Sequence, residues 1–194
     1  LDLFVKNKKW VGFTALVFLA ATALTTFTPQ ESYSLFHGFF KLDRAYLRHE
    51  TPGGEMSPEL MRLNLERGDG AAVLLVNRDR NTVVLTRQFR YATWLRGDGG
   101  WILEIPAGTV PSGKSPAAIA RSELLEEVGY RPARLRKLFT FYSTPGTTTE
   151  RTHLFYGEVD DRHKIGSGGG LDSEHEFIEV VELPIARALR MLRQ

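Results

Sequence analysis

The chain has 194 residues, 42% hydrophobic and 25% charged, which suits one domain with a sizeable core. Its 25 basic and 23 acidic side chains leave a formal charge of +2 with the cations scattered along the sequence, a pattern that argues against nucleic acid as a partner. There is no cysteine, so a disulfide framework, a thiolate metal site and a cysteine nucleophile are all excluded, and His37, His49, His153, His163 and His175 are too dispersed for a ligand cluster.

In chain order, Lys6, Lys8 and Lys9 precede an uncharged stretch from Trp10 to Gln30 that contains Ala21-Thr22-Ala23. A basic start, an apolar run and a small-residue triplet form a secretory pattern. The run also reaches the length of a membrane helix. Its many Thr and Ala residues favour a cleavable signal, hence export to the periplasm, with membrane contact only through a retained leader. The competing reading is a buried helix in a cytoplasmic protein. Residues 1–30 are therefore set apart as a leader, 31–68 as an N-terminal β region and 69–194 as the main domain.

"LFHGFFKLDRAYLRH" and "ELMRLNLER" read as two strands around the Pro52-Gly53-Gly54 turn, with Met61, Leu63 and Leu65 alternating. Tyr33, Phe36 and Phe40 stand at strand spacing, where aromatic side chains are more often core than a stacking platform. "AAVLLVN" and "TVVLTRQF" flank a polar "RDRN" and predict a hairpin. "WILEIPAG" reads as a buried strand ending in a turn. Ser115 and Pro116 are a cap and first-turn proline for a helix over "AAIARSELLEEV", which Gly129 stops. "LRKLFTFYST", "RTHLFYGEVD" and "EFIEVVEL" predict three more strands, and Pro184 opens a last helix. The fold class is α/β with a mixed sheet.

Within the central helix Ala117, Ala120, Leu124 and Val128 share one face, while Glu123, Glu126 and Glu127 stand three and four apart on another. Like charges at that spacing cost roughly 0.2–0.5 kcal/mol per pair in the absence of a counterion. A hard divalent cation reverses the sign, and an all-carboxylate donor set suits Mg2+, with Mn2+ as its substitute. A solvated acidic face is the alternative for such a triad in isolation.

From Gly108 onward the segment "GTVPSGKSPAAIARSELLEEVGY" resembles the signature of the Nudix hydrolases, G-x5-E-x7-R-E-U-x-E-E-x-G-U. Gly108, Glu123, Leu124, Glu126, Glu127, Gly129 and Tyr130 fall in register. Lys114 stands in place of the first Glu and Ser122 in place of the Arg, which in the family helps to orient a metal-binding carboxylate; Arg121 points about 100° away from that position. The flanking blocks "RQFRYATW" and "GGGLDSEHEFIEV" are similar to those of the branch that splits ADP-ribose and nucleoside diphosphate sugars, and lean towards its GDP-mannose group. The chain ends at Gln194, short of a final helix that carries further sugar-site residues in that group.

The resemblance implies a Nudix α/β/α sandwich with a mixed β-sheet, an N-terminal β extension swapped in a homodimer, and Mg2+-dependent cleavage of a nucleotide sugar to a nucleoside monophosphate and a sugar phosphate. It implies Glu123 and Glu127 as metal ligands with Glu126 in support, joined by the Ala107 carbonyl and by Glu176. Glu174 is the expected general base, although Glu174 and Glu176 can exchange roles, on a flexible glycine-rich loop that closes over substrate. Arg90 is the expected phosphate ligand and Arg87 a second; both are otherwise surface cations at a strand end. Glu150 is the expected acceptor of sugar hydroxyls or, alternatively, half of an ion pair. A catalytically weak binding or regulatory protein on the same scaffold is the second functional class.

Overall fold

A computed structural model describes residues 27–38 and 40–193. Most of the predicted leader thus lies outside the described residues, except that Phe27 to Gln30 open the first strand. No helix among the described residues is long and apolar enough to cross a membrane. The chain divides into two compact units, one made of the residues up to Gly68 with Phe141–Arg151, the other of Asp69–Thr140 with Thr152–Gln194.

The first unit is built on an antiparallel sheet of three strands, β1 (Phe27–His37), β2 (Lys41–His49) and β3 (Leu60–Glu66), in that spatial order. Two strands were expected here. The extra one arises because the run read as a single strand reverses at Gly38, whose N–H donates to the Phe40 carbonyl at 3.0 Å. The aromatic expectation is also corrected: Tyr33 and Phe36 are exposed, as are Met61 and Leu63 of the alternating set. The Arg44 guanidinium lies 5.8 Å from the ring centroids of both Tyr33 and Tyr46 and braces the sheet from one side.

The second unit carries a seven-stranded mixed sheet from β4 (Asp69–Asn77), β5 (Thr82–Phe89), β6 (Trp101–Glu104), β7 (Ala107–Val110), β8 (Leu135–Tyr142), β9 (Arg151–Val159) and β10 (Glu179–Pro184). Its order is β10-β5-β4-β9-β8, with β6 paired to β5 and β7 to β4. β4 runs parallel to β9 and is buried along most of its length, as an almost unbroken apolar strand should be. The β4–β5 hairpin forms as predicted because the Asn77 side chain accepts the N–H groups of Asp79 at 3.0 Å and Arg80 at 3.3 Å. "WILEIPAG" is not a buried strand. It splits into β6 and β7 around Pro106, and Trp101 and Leu103 are exposed.

Among the described residues three helices accompany the strands: α1 (Tyr91–Leu95), α2 (Pro116–Val128) and α3 (Ile185–Met191). α1, inside "RQFRYATW", was not expected. α2 begins at Pro116 after Ser115 and ends at Gly129, whose φ of 73° is the left-handed cap that glycine supplies without strain. Ala120, Leu124 and Val128 pack on Ala71, Val73, Leu75, Val84 and Phe155. Each of the larger side chains contributes about 1.5–3 kcal/mol by leaving water. That packing fixes which way α2 turns its acidic residues.

Candidate active site

Glu123 and Glu127 leave α2 on the side facing β7, while Glu126 bonds to Ser122. The Glu123 carboxylate lies directly against Gly108, where any Cβ would overlap it. Glu127 is 4% exposed, and its Oε2 accepts the Ala107 N–H at 2.9 Å. The structure thus brings Ala107, Gly108, Glu123 and Glu127 together, and the signature glycine has a local cause: the helix side chain occupies the space of its missing side chain.

The Ser122 hydroxyl donates to Glu126 Oε1 at 2.5 Å, one helical turn along. Arg121 does not substitute for the absent signature arginine; its Nη1 donates to the Pro132 carbonyl at 3.0 Å. Lys114 sits exposed in the turn before α2.

Residues 166–170 correct the expectation of a flexible approach. The N–H of Gly169 donates to the Glu127 carbonyl at 2.9 Å, that of Gly170 to the Glu126 carbonyl at 3.1 Å, and that of Gly166 to the Gly129 carbonyl at 3.1 Å. The last turn of a helix leaves carbonyls without intrahelical donors, and this strap supplies them. Glycine is required because the contact is backbone on backbone: a Cβ on Gly168, where φ is +69°, would stand 2.5 Å from the Glu127 carbonyl oxygen. The acidic loop is therefore bonded to the same residues whose side chains form the acidic wall.

Beyond the strap, a 3-10 turn over Asp172–Glu174 exposes Glu174, and His175 adopts φ 55°. The chain then returns to place Glu176 half-buried, its Oε2 accepting the Leu171 N–H at 3.2 Å. Burial raises the Glu123 carboxyl to about 7, with repulsion from Glu126, Glu176 and Glu174 adding to the shift. Glu127 is pushed up to about 8, chiefly by burial and further by Glu123 and Glu176, while the Ala107 N–H and the Arg90 charge oppose the rise. Glu176 acts on both helix carboxylates and Glu174 on Glu123 alone, which separates two positions that sequence spacing leaves equivalent.

Arg90, at the end of β5, donates through Nε to Glu104 Oε2 at 2.8 Å. Its charge reaches Glu127. Glu104 was missed in the sequence, where it lay within a run read as buried strand. No local signal marked it, since its contact with Arg90 follows from the antiparallel pairing of β5 and β6, which sets Thr86 opposite Glu104. Arg87 is not directed to this group. It pairs with Glu179 at 2.6 Å across β5 and β10, the surface alternative. Glu150 belongs to the first unit, where it pairs with Arg67 at 3.4 Å, again the ion-pair alternative.

The donors are oxygen throughout, and the buried carboxylates repel one another, so a hard divalent cation fits them. Among the described residues no three acidic or histidine side chains stand close enough together to hold a metal ion by themselves. An open acidic wall is compatible with Mg2+, which commonly retains water and shares its sphere with substrate phosphates.

A model of the NUDIX domain matches residues 66–193. The chain is 46% identical over 129 residues to a GDP-mannose pyrophosphatase of Citrobacter koseri, covering 66% of this chain and 66% of that protein. It is 47% identical over 128 residues to a GDP-mannose pyrophosphatase of Klebsiella pneumoniae, covering 66% of this chain and 63% of that protein. The matched stretch thus spans just under two thirds of these relatives' length. In fold it is similar to an ADP compounds hydrolase solved by crystallography, with a TM-score of 0.64, 18% identity, and coverage of 90% of this chain and 86% of that one. With the domain match running across both the acidic helix and the strapped loop, the chain belongs to the Nudix family.

Proposed function

We propose that the chain is a Mg2+-dependent pyrophosphatase of nucleoside diphosphate sugars, GDP-mannose foremost, releasing a nucleoside monophosphate and a sugar phosphate. The observation that carries this reading is the wall formed by Glu123, Glu126 and Glu127 with Glu176 strapped beside them, in a chain whose matched relatives are named for that activity.

A bound Mg2+ would offset pyrophosphate charge and lower the pKa of coordinated water. Glu123, Glu127 and Glu176 would hold it with the Ala107 carbonyl, and Glu126 would support them; Mn2+ would substitute. Glu174, exposed on its 3-10 turn, would take the proton from the attacking water. Arg90 would exchange its bond to Glu104 for a substrate phosphate, where its planar fork makes two charge-assisted hydrogen bonds. The pairs held by Arg87 and Glu150 leave them as weaker candidates for substrate contacts.

A homodimer is part of the proposal. It is supported by the exposed Tyr33, Leu35, Phe36, Met61 and Leu63 of the N-terminal sheet, since a small sheet gains little stability until an apolar face is covered. Export through residues 1–30 is proposed as well, and N-terminal sequencing of the secreted protein tests it. The competing binding-protein reading rests on Lys114 and Ser122, which replace two signature residues; Ser122 donates to Glu126.

The test is hydrolysis with Mg2+ of GDP-mannose, ADP-ribose, ADP-glucose and UDP-glucose by the chain and by Glu127→Gln. Turnover that disappears in the variant establishes the mechanism and ranks the substrates. Tight binding of a nucleotide sugar by both proteins with no turnover in either one would replace the enzyme with a binding protein.

A further inference from the structure

Cations that lie scattered along the sequence are gathered by the fold at one edge of the central sheet. β8 is the strand at that edge, and the stretch from Arg131 to Lys137 at its start holds four basic side chains and no acidic one. Two more cations join from other segments. Arg121 of α2 donates through Nη1 to the Pro132 carbonyl at 3.0 Å. Lys164 forms a bridge with Tyr130, next to the bond from the Arg131 N–H to the His163 carbonyl at 3.0 Å. Arg121, Arg131, Arg134, Arg136, Lys137 and Lys164 are all exposed.

The groups that hold these cations are neutral. Lys164 lies 5.3 Å from the ring centroid of Tyr130 and Arg136 5.5 Å from that of Tyr156, contacts that orient a cation without cancelling its charge. Arg78, Arg80, Arg87, Arg90 and Arg162 of the same unit each meet a carboxylate, whereas none of the six enters an ion pair among the described residues. Charges on an edge strand also discourage pairing with another strand, but acidic residues would serve that purpose as well. Without the six, the 25 basic side chains become 19 against 23 acidic ones, and a formal charge of +2 becomes −4. The net positive charge of the chain therefore depends on this edge.

A compact group of exposed Lys and Arg is drawn to a bilayer with anionic headgroups, each one near the surface strengthening binding about fivefold. A single-stranded nucleic acid calls for rings on which bases can stack. Here Tyr130 is fully buried and Tyr156 lies beneath a guanidinium. We propose that this edge of the sheet docks on an anionic lipid bilayer, the six cations meeting headgroup phosphates. The contact belongs to the folded second unit, separate from any made by the apolar leader, and it does not depend on the enzymatic reading.

The experiment measures sedimentation of the full chain with vesicles of phosphatidylcholine alone and with phosphatidylglycerol added. An edge variant combines Arg131→Glu, Arg134→Glu and Lys137→Glu. A control variant combines Arg187→Glu, Arg190→Glu and Arg193→Glu, exposed on and after α3 beyond β10 at the opposite edge, and so has the same net charge. The unaltered chain is expected to bind only the anionic vesicles and to leave them between about 0.1 and about 1 M salt, as the screening length shortens from about 10 to about 3 Å. The edge variant is expected to bind them about 100-fold more weakly at an unchanged melting temperature, and the control within about threefold of the unaltered chain. No binding to anionic vesicles, equal binding by the edge variant, or an equal loss in both variants overturns the proposal. So does binding that ignores salt and headgroup charge, which would belong to the leader. Tighter binding of a DNA oligonucleotide than of anionic vesicles, lost in the edge variant, would assign the edge to nucleic acid and overturn it too.

Discussion

The two sheets of this molecule solve the same problem in opposite ways. β4 of the central sheet is covered nearly throughout, its side chains locked among α2 and neighbouring strands, whereas the three-stranded N-terminal sheet has no fully buried strand residue among those described. A sheet that buries its own faces can support an unfavourable cluster of charges nearby. The other leaves Met61 and Leu63 exposed. Under the proposed function, chemistry falls to the central sheet and association to the N-terminal one.

The largest expected effect tests the chemical side of that division. Glu127→Gln keeps an oxygen to accept the Ala107 N–H but removes the charge, so turnover should fall by about 10^3-fold or more, equivalent to roughly 4 kcal/mol. Melting curves should show that Mg2+ stabilises the unaltered chain and has little effect on the variant; removing the metal with a chelator should cancel the difference. Activity retained within tenfold would remove Glu127 from the metal site.

Next comes the side of association. Leu63→Glu places a charge on the exposed face of β3, and should raise the dimer dissociation constant by about 100-fold through the loss of roughly 2–4 kcal/mol at one central contact. Sedimentation velocity over a concentration series checks it. If the mutant and the unaltered chain sediment identically, the N-terminal sheet is not the association surface.

A smaller effect is expected at the strap. Gly168→Ala adds a Cβ beside the Glu127 carbonyl at a left-handed φ, a strain of about 1–3 kcal/mol that displaces the backbone bonded to Glu126 and Glu127. Turnover should drop about tenfold, with substrate KM little changed. An unaffected rate would show that the acidic loop is positioned by other contacts.

Much of this arrangement was legible in the chain, for reasons that differ by element. β4, β5 and α2 announced themselves because apolar period, turn chemistry and the Gly129 stop agreed with one another and with the tertiary structure, although Ser115 makes no side-chain capping bond. The acidic wall was legible because Glu123, Glu126 and Glu127 lie on one helix, where spacing determines direction. What escaped depends on partners remote in sequence. The strap looks like a flexible linker because glycine signals freedom by itself; here it serves close contact with the end of α2, visible only once the two segments meet. Glu104 was hidden for the same reason, since its role lies in the Arg90 side chain across a hairpin. Tyr33, Phe36, Met61 and Leu63 followed the pattern of core residues, and the pattern cannot say whether the same chain provides the cover.

The smallest effect on turnover is expected at the far end of α2, where the central unit buries polarity without using it for chemistry. Tyr130 is fully buried; its hydroxyl donates to Glu182 Oε1 at 2.8 Å and accepts from Asn77 Nδ2 at 3.2 Å. Burial and the bond to Glu182 raise its pKa from 10.0 to about 12. Between those values the folded chain retains a proton that the unfolded chain releases, so this group's contribution to stability is complete below pH 10 and is lost as pH rises towards 12. Tyr130→Phe removes that slope but leaves the Asn77 amide and the Glu182 carboxylate short of a partner, at a cost of about 1–3 kcal/mol near neutral pH. Urea denaturation at pH 7 and at several values from 9.5 to 11.5 reads both effects, and turnover should stay within twofold because no atom of this network touches the acidic wall. A variant as stable as the unaltered chain at pH 7 would show that water satisfies Asn77 and Glu182 equally well. The burial of the network would then owe nothing to its hydrogen bonds, and the self-sufficiency of the central sheet would rest on apolar packing alone.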